Sequence, residues 1–200
     1  MKKLLQVTLI IFTGLIYAQE QVLFSGITSH GGFGGPVLKL SQFDNDLGLL
    51  VGGRGGWIIG HAITIGGGGY SLTNDIPVLD DNTDTTQYLD FSYGGFEIGL
   101  ILASSDMIHF SINSLIGGGA IGYRESIFDG HMNHDWDYDQ QHDQVFVVEP
   151  AVNLIINVTK WFRVGAGFSY RYVTGVDLVA IDNQYVSGPS GVLSFKFGSF

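Results

Sequence analysis

Phe162-Arg-Val-Gly-Ala-Gly-Phe-Ser-Tyr-Arg-Tyr172 alternates without a break. Successive side chains of a strand point to opposite sides, so Phe162, Val164, Ala166, Phe168, Tyr170 and Tyr172 take one face, and Arg163, Gly165, Gly167, Ser169 and Arg171 the other. Two arginines thus share a face with glycine and serine. A two-sheet sandwich would bury the aromatic face against a second sheet. A transmembrane barrel would turn it to lipid and send the arginines into a polar interior.

The choice rests on whether other strands repeat the arrangement, and they do. Val148, Val152, Leu154, Ile156 and Val158 oppose Glu149, Asn153 and Asn157; Leu193, Phe195 and Phe197 oppose Ser194 and Lys196. Leu47, Leu49, Val51, Trp57 and Ile59 oppose Arg54, and Leu38 with Leu40 opposes Lys39 and Ser41. At Gly94-Gly95 the apolar parity changes, from Leu89, Phe91 and Tyr93 to Phe96, Ile98, Leu100 and Leu102, with Asp90 and Glu97 opposed to them. That change predicts a glycine β-bulge, with a similar slip near Ser114-Leu115. Pro150 lacks an N–H for the ladder and predicts a further bulge.

Eight strands are expected, at 33–42, 46–59, 62–73, 87–102, 107–128, 144–158, 161–173 and 191–199. After a short first loop near Asp44, tight turns at Gly60-His61, Ser104-Ser105 and Lys160 alternate with longer loops near 74–86, 129–143 and 174–190. An even strand count brings both ends of the chain to one side. The reading is all-β: an eight-stranded antiparallel up-and-down transmembrane β-barrel, its short turns periplasmic and its long loops outside the cell.

The start of the chain agrees with export. Lys2 and Lys3 precede an apolar run from Leu4 to Ile16, and Ala18 stands before Gln19-Glu20-Gln21, the pattern of a signal peptide cleaved after residue 18. The barrel domain is then 19–200. It holds no apolar stretch of the roughly 20 residues a spanning helix needs, yet 45% of the chain is hydrophobic and only 14% charged. With 30 Gly, 14 Phe, 9 Tyr and 4 Pro, the composition favours strands and tight turns. Cysteine is absent, which excludes disulfides, thiolate catalysis and Cys-based zinc sites. Loss of Lys2 and Lys3 leaves 7 of the 9 basic residues against 19 acidic ones, an unsuitable balance for nucleic acid.

On strand number, alternation and turn pattern, the chain resembles the small eight-stranded outer-membrane barrels, the OmpX-like, opacity-like and OmpA transmembrane-domain-like proteins. The resemblance implies residence in the outer membrane and a structural or adhesin-like surface role. It implies lipid and lipopolysaccharide as surroundings and a surface protein or glycan as partner. The aromatic Phe200 suits the assembly signal of that family, although it is out of parity with Phe195 and Phe197. A soluble lipocalin-like carrier is the alternative for a single eight-stranded barrel, but it would need an apolar interior.

Three groups of residues could carry chemistry. Parity sends the strand charges Lys39, Arg54, Asp90, Glu97, Glu149, Arg163, Arg171 and Lys196 inward, where they are expected to pair and leave no channel. The four loops at 42–46, 74–86, 129–143 and 174–190 hold 13 of the 19 acidic residues and no Lys or Arg. Within them His131, His134, Asp135, Asp137, Asp139 and His142 are ligand types for a loosely bound divalent cation. Their spacing fits no calcium loop, since Gln140 stands where glycine is required, and no cofactor is expected. Finally, His109 and Ser111 share a strand face, and some barrels of this shape are lipid A deacylases with a His-x-Ser pair. Glu125 is then the candidate for orienting His109 in a membrane hydrolase, the enzymatic alternative to the non-catalytic reading. The glycine runs at 66–69 and 117–119 lack the Lys-Ser/Thr of a nucleotide loop and are read as strand bends.

Overall fold

A computed structural model describes residues 30–78, 87–124, 142–178 and 181–200. The signal-peptide reading lies outside these residues. The strands are β1 (His30–Phe43), β2 (Asp46–Ile59), β3 (Ile63–Leu72), the two-residue β4 (Pro77–Val78), β5 (Gln87–Leu102), β6 (Ile108–Arg124), β7 (Asp143–Asn157), β8 (Phe162–Thr174) and β9 (Gly188–Ser199). A one-turn helix, α1 (Asn183–Val186), precedes β9. Each long strand pairs antiparallel with its sequence neighbours, β3 passing over β4 to β5, and β1 pairs with β9. The eight long strands therefore close into an up-and-down barrel, while β4 only extends the edge beside Gln87 and Tyr88. At one end sit tight turns, among them Gly60-His61 with φ of 60° and 57°, the left-handed pair that a two-residue hairpin requires. The longer connections gather at the other, the loop end.

The predicted bulges are absent. β5 pairs with β6 in one unbroken register from Tyr88↔Arg124 to Leu102↔Phe110, through Gly94-Gly95 and through Ser114-Leu115. Odd-numbered residues of β5 face inward along its whole length, so Leu89, Phe91 and Tyr93 are buried in the bore and Phe96, Ile98, Leu100 and Leu102 lie on the outer surface. The apolar residues change face because the bore changes character: it is apolar at the loop end and polar below. Leu115 continues inward from His109, Ser111 and Asn113 for the same reason. Pro150 is also accommodated without a bulge. The β7–β8 pairings stop between Val148↔Tyr172 and Ala151↔Ser169 and resume in the same register, and the β1–β9 ladder does the same around Pro36.

The surface is inside-out relative to a water-soluble barrel. Leu40, Leu47, Phe96, Phe110, Val152 and Phe168 stand on the outer face, Phe168 at 78% exposure, while lysine, arginine and glutamate are enclosed. Water would not tolerate so continuous an apolar belt, and lipid would. Trp57, Trp161 and Phe197 mark the turn-end margin of the belt, with Trp161 stacked on Phe197 at 6.0 Å; Tyr170 and Tyr172 mark the other. Such girdles belong at the two lipid–water boundaries. Among the described residues no helix is long and apolar enough to cross a membrane; the strands do so.

Curvature decides where glycine is needed. A Cβ placed on inward-facing Gly117 would come within 2.1 Å of the Gly94 carbonyl oxygen and 2.5 Å of the Gly95 Cα, because the concave face brings neighbouring backbones together. On outward-facing Gly69 the nearest atom, the Tyr93 carbonyl oxygen, is 3.7 Å away. Gly117→Ala is expected to destabilise the folded barrel by roughly 1–3 kcal/mol, as overpacking does, and Gly69→Ala by less than about 0.5 kcal/mol. Urea titration in detergent micelles, read from the faster gel migration of the unheated form, checks both.

Candidate functional site

Seven of the eight strand charges reach the bore. Lys39 and Glu149, 110 residues apart in the chain, meet with Nζ 2.8 Å from Oε2 and 2.9 Å from Oε1. The same carboxylate accepts from the Tyr93 hydroxyl at 2.6 Å and the Ser169 hydroxyl at 2.5 Å. Lys39 Nζ also lies 3.3 Å above the Tyr70 ring centre. Both members of this pair are buried and their bonding groups are saturated, the condition under which a charge pair survives burial. Arg171, fully enclosed, has no carboxylate partner among the described residues. Its Nε donates to the Val186 carbonyl at 2.8 Å and its Nη1 to the Ser41 hydroxyl at 2.9 Å, and its guanidinium faces the rings of Phe43, Phe91 and Tyr93. It therefore ties α1 to the wall at the boundary between polar and apolar layers.

Above that boundary Phe43, Leu50, Ile76, Leu89, Phe91 and Ile121, with Val186 of α1, fill the loop end of the bore. This plug closes the tube, a feature that strand parity alone did not reveal. Its signal in the sequence is Leu89, Phe91 and Tyr93, apolar residues that alternation alone assigns to an outer face. The interior carries charged groups and side-chain packing in place of the apolar cavity a lipocalin-like carrier needs.

Asp90 is the exception among the eight. It lies on the outer face near the loop end, its side chain 39% exposed, with His142 Nε2 at 3.8 Å. With no bulge at Gly94-Gly95, its even number keeps it outside. His142 is the only metal candidate among the described residues; His131, His134, Asp135, Asp137 and Asp139 lie outside them.

His109 and Ser111 are buried on the inner face of β6 at the turn end. No hydrogen bond joins them: the Ser111 hydroxyl has no partner among the described residues, and His109 stands beside Asp106 of the adjoining turn. Glu125 lies outside the described residues.

At the loop end a groove of about 520 Å³ opens between the first and last connections, lined by Gln42, Asp44, Tyr170, Asp182, Gln184 and Tyr185. Asp182 caps α1, its carboxylate accepting from the Tyr185 amide at 2.8 Å, which fixes the ring beside the groove. Burial, then the charges of Asp46 and Asp44, push the Tyr185 phenol upward, so it remains a neutral hydroxyl. Nearby, Arg124 pairs with Asp75 at 2.7 Å and donates to the Asn74 carbonyl at 3.0 Å, fastening the second outer connection to β6.

No protein-family model and no curated protein matches the chain. Among solved structures, Neisserial surface protein A (NspA) aligns over 85% of this chain and 96% of its own, with a TM-score of 0.54 at 11% identity. The fold is that of the small eight-stranded outer-membrane barrels. Ail, the attachment invasion locus protein of Yersinia pestis, aligns over 84% of this chain and 97% of its own, with a TM-score of 0.45 at 11% identity. Ail in complex with the heparin analogue sucrose octasulfate aligns over the same shares at 0.46 and 13%. At such identities the likeness concerns the path of the chain.

The Lys39–Glu149 pair generates a double-mutant test. Glu149→Gln strands a buried ammonium and is expected to cost about 3–5 kcal/mol, whereas Lys39→Met with Glu149→Leu removes both charges and is expected to recover most of that loss. Urea midpoints of the single and double variants in micelles measure the difference.

Proposed function

We propose that this protein is an integral outer-membrane barrel, exported by residues 1–18, whose loop end serves surface interaction. The observation that carries the reading is the groove of Gln42, Asp44, Tyr170, Asp182, Gln184 and Tyr185, set on a rigid barrel closed beneath it. Loops held by a rigid scaffold are the usual place for recognition. The NspA fold match, to a protein named for its surface location, is consistent with this role. The apolar belt takes outer-membrane lipid, and the acidic loops meet the lipopolysaccharide layer, where loosely held divalent cations would bridge carboxylate and phosphate.

The chemistry of the groove fits a glycan. Tyr170 and Tyr185 offer ring faces to the C–H surface of a sugar, and the carboxylates and amides beside them bond its hydroxyls. Asp44 and Asp182 with the acidic loops make the local field negative, which favours neutral or amino sugars and repels sulfated chains. On a glycan array the micelle-borne protein is expected to retain neutral or amino-sugar glycans, and Tyr185→Ser with Gln184→Ala to lose them while keeping the faster gel migration of the folded form. Preference for sulfated chains, or retention unchanged in the double variant, would sink the reading.

A further inference from the structure

The turn-end half of the bore holds more positive charge than it can neutralise. Arg163 of β8 and Lys196 of β9 are direct partners across the β8–β9 ladder, and both face inward. Like charges placed opposite each other on one sheet face repel, and enclosure strengthens the repulsion. Lys196 is 7% exposed and Arg54, which also interacts with it, 7%. The nearby carboxylate, Glu97, is taken by Arg54 at 3.4 Å. Neither Arg163 nor Lys196 has an ion-pair partner among the described residues.

Aromatic faces relieve part of this charge: the Arg163 guanidinium lies 3.9 Å from the Phe200 ring centre, and Lys196 Nζ lies 4.9 Å from that of Phe33. Donors nevertheless remain unused. Among the described residues Arg54 Nε and Nη2 and Arg163 Nε are buried without a hydrogen-bond partner, as are the Ser111 hydroxyl, the His109 ring nitrogens and the amide oxygens of Asn153 and Asn157. Buried polar groups in folded proteins are paired, so a set of unpaired donors beside opposed cations calls for an acceptor. A recess of about 680 Å³ lies between the turns, lined by His61, Asn157, Lys160, Arg163 and Phe200 among others. Arg163 belongs both to this recess and to the interior cluster.

We propose that the turn-end half of the bore binds a small phosphate-type oxyanion, held by Arg54, Arg163 and Lys196. Guanidinium groups present forked N–H donors that match the oxygens of such an ion, the ammonium adds a point charge, and the negative charge separates the opposed cations. The shared chemistry, a phosphate group, has two sources: a free ion entering from the turn side, or the headgroup of a neighbouring phospholipid reaching over the turns. This site is distinct from the loop-end groove and does not depend on it.

The test uses the full folded chain in a phosphate-free maltoside detergent, with inorganic phosphate followed by calorimetry and phosphorus NMR line width. Saturable binding is expected, weakened by about tenfold or more in Lys196→Met and in Arg163→Gln, since each removes a charge-assisted bond. Lys196→Met is expected to fold, because it removes an unpaired buried charge; Arg163, at the recess, provides a second variant should it not. Binding that persists in phosphatidylglycerol bilayers assigns the site to the free ion, and binding displaced by those bilayers assigns it to the headgroup. No saturable phosphate binding, binding matched by chloride at equal ionic strength, or unchanged affinity in the folded variants would overturn the proposal.

Discussion

In hydrocarbon a backbone N–H or C=O has no water to bond, and a sheet with a free edge would leave a row of such groups unsatisfied. The seam between β1 and β9 removes that edge. Once the ring is closed, a residue's face is no longer a local matter: eight strands of constant parity define one inside and one outside, and each side chain is assigned by its number along its strand. The prolines show how strongly closure is maintained. At Pro36 and Pro150 the ladder gives up pairings but does not shift, since a slip of one residue would exchange the lipid and bore faces of everything beyond it.

A bore formed by eight strands is just wide enough to be filled with side chains, and this one is filled in layers. Apolar rings and aliphatic groups seal the loop end. The saturated Lys39–Glu149 pair lies beneath them, with Arg171 between the two layers held by a carbonyl, a hydroxyl and aromatic faces. The lower layer departs from this economy. Several of its arginine donors are unpaired, and Arg163 and Lys196, without an ion-pair partner among the described residues, are opposed across one ladder. The upper layers are thus the better satisfied, and the lower layer is where the proposed anion would relieve opposed charge.

The two ends differ in what can reach them. The loop end offers tyrosines, amides and carboxylates on connections held by Asp182 at the start of α1 and by Arg124 at the end of β6. The turn end offers a recess between the turns, with Lys160 and Arg163 in its lining. The plug between them isolates the two, so a ligand at one end meets none of the residues at the other.

Strand number, strand limits within a few residues, and the inside-out character of β1, β2, β7, β8 and β9 were legible in the chain, because period-two alternation and turn residues are local properties. So was the inward placement of Lys39, Arg54, Glu97, Glu149, Arg163, Arg171 and Lys196. The misreadings share one cause. Asp90, Gly94-Gly95 and Ser114-Leu115 were judged on the premise that the bore is polar throughout, so apolar Leu89, Phe91 and Tyr93 implied a shift of parity. Only the closed ring, which brings those side chains against Phe43 of β1 and Leu50 of β2, makes an apolar interior at the loop end and keeps Asp90 outside. Partnership is non-local for the same reason: alternation specifies the face that Lys39 occupies, but only closure places it against Glu149 and sets Arg163 opposite Lys196.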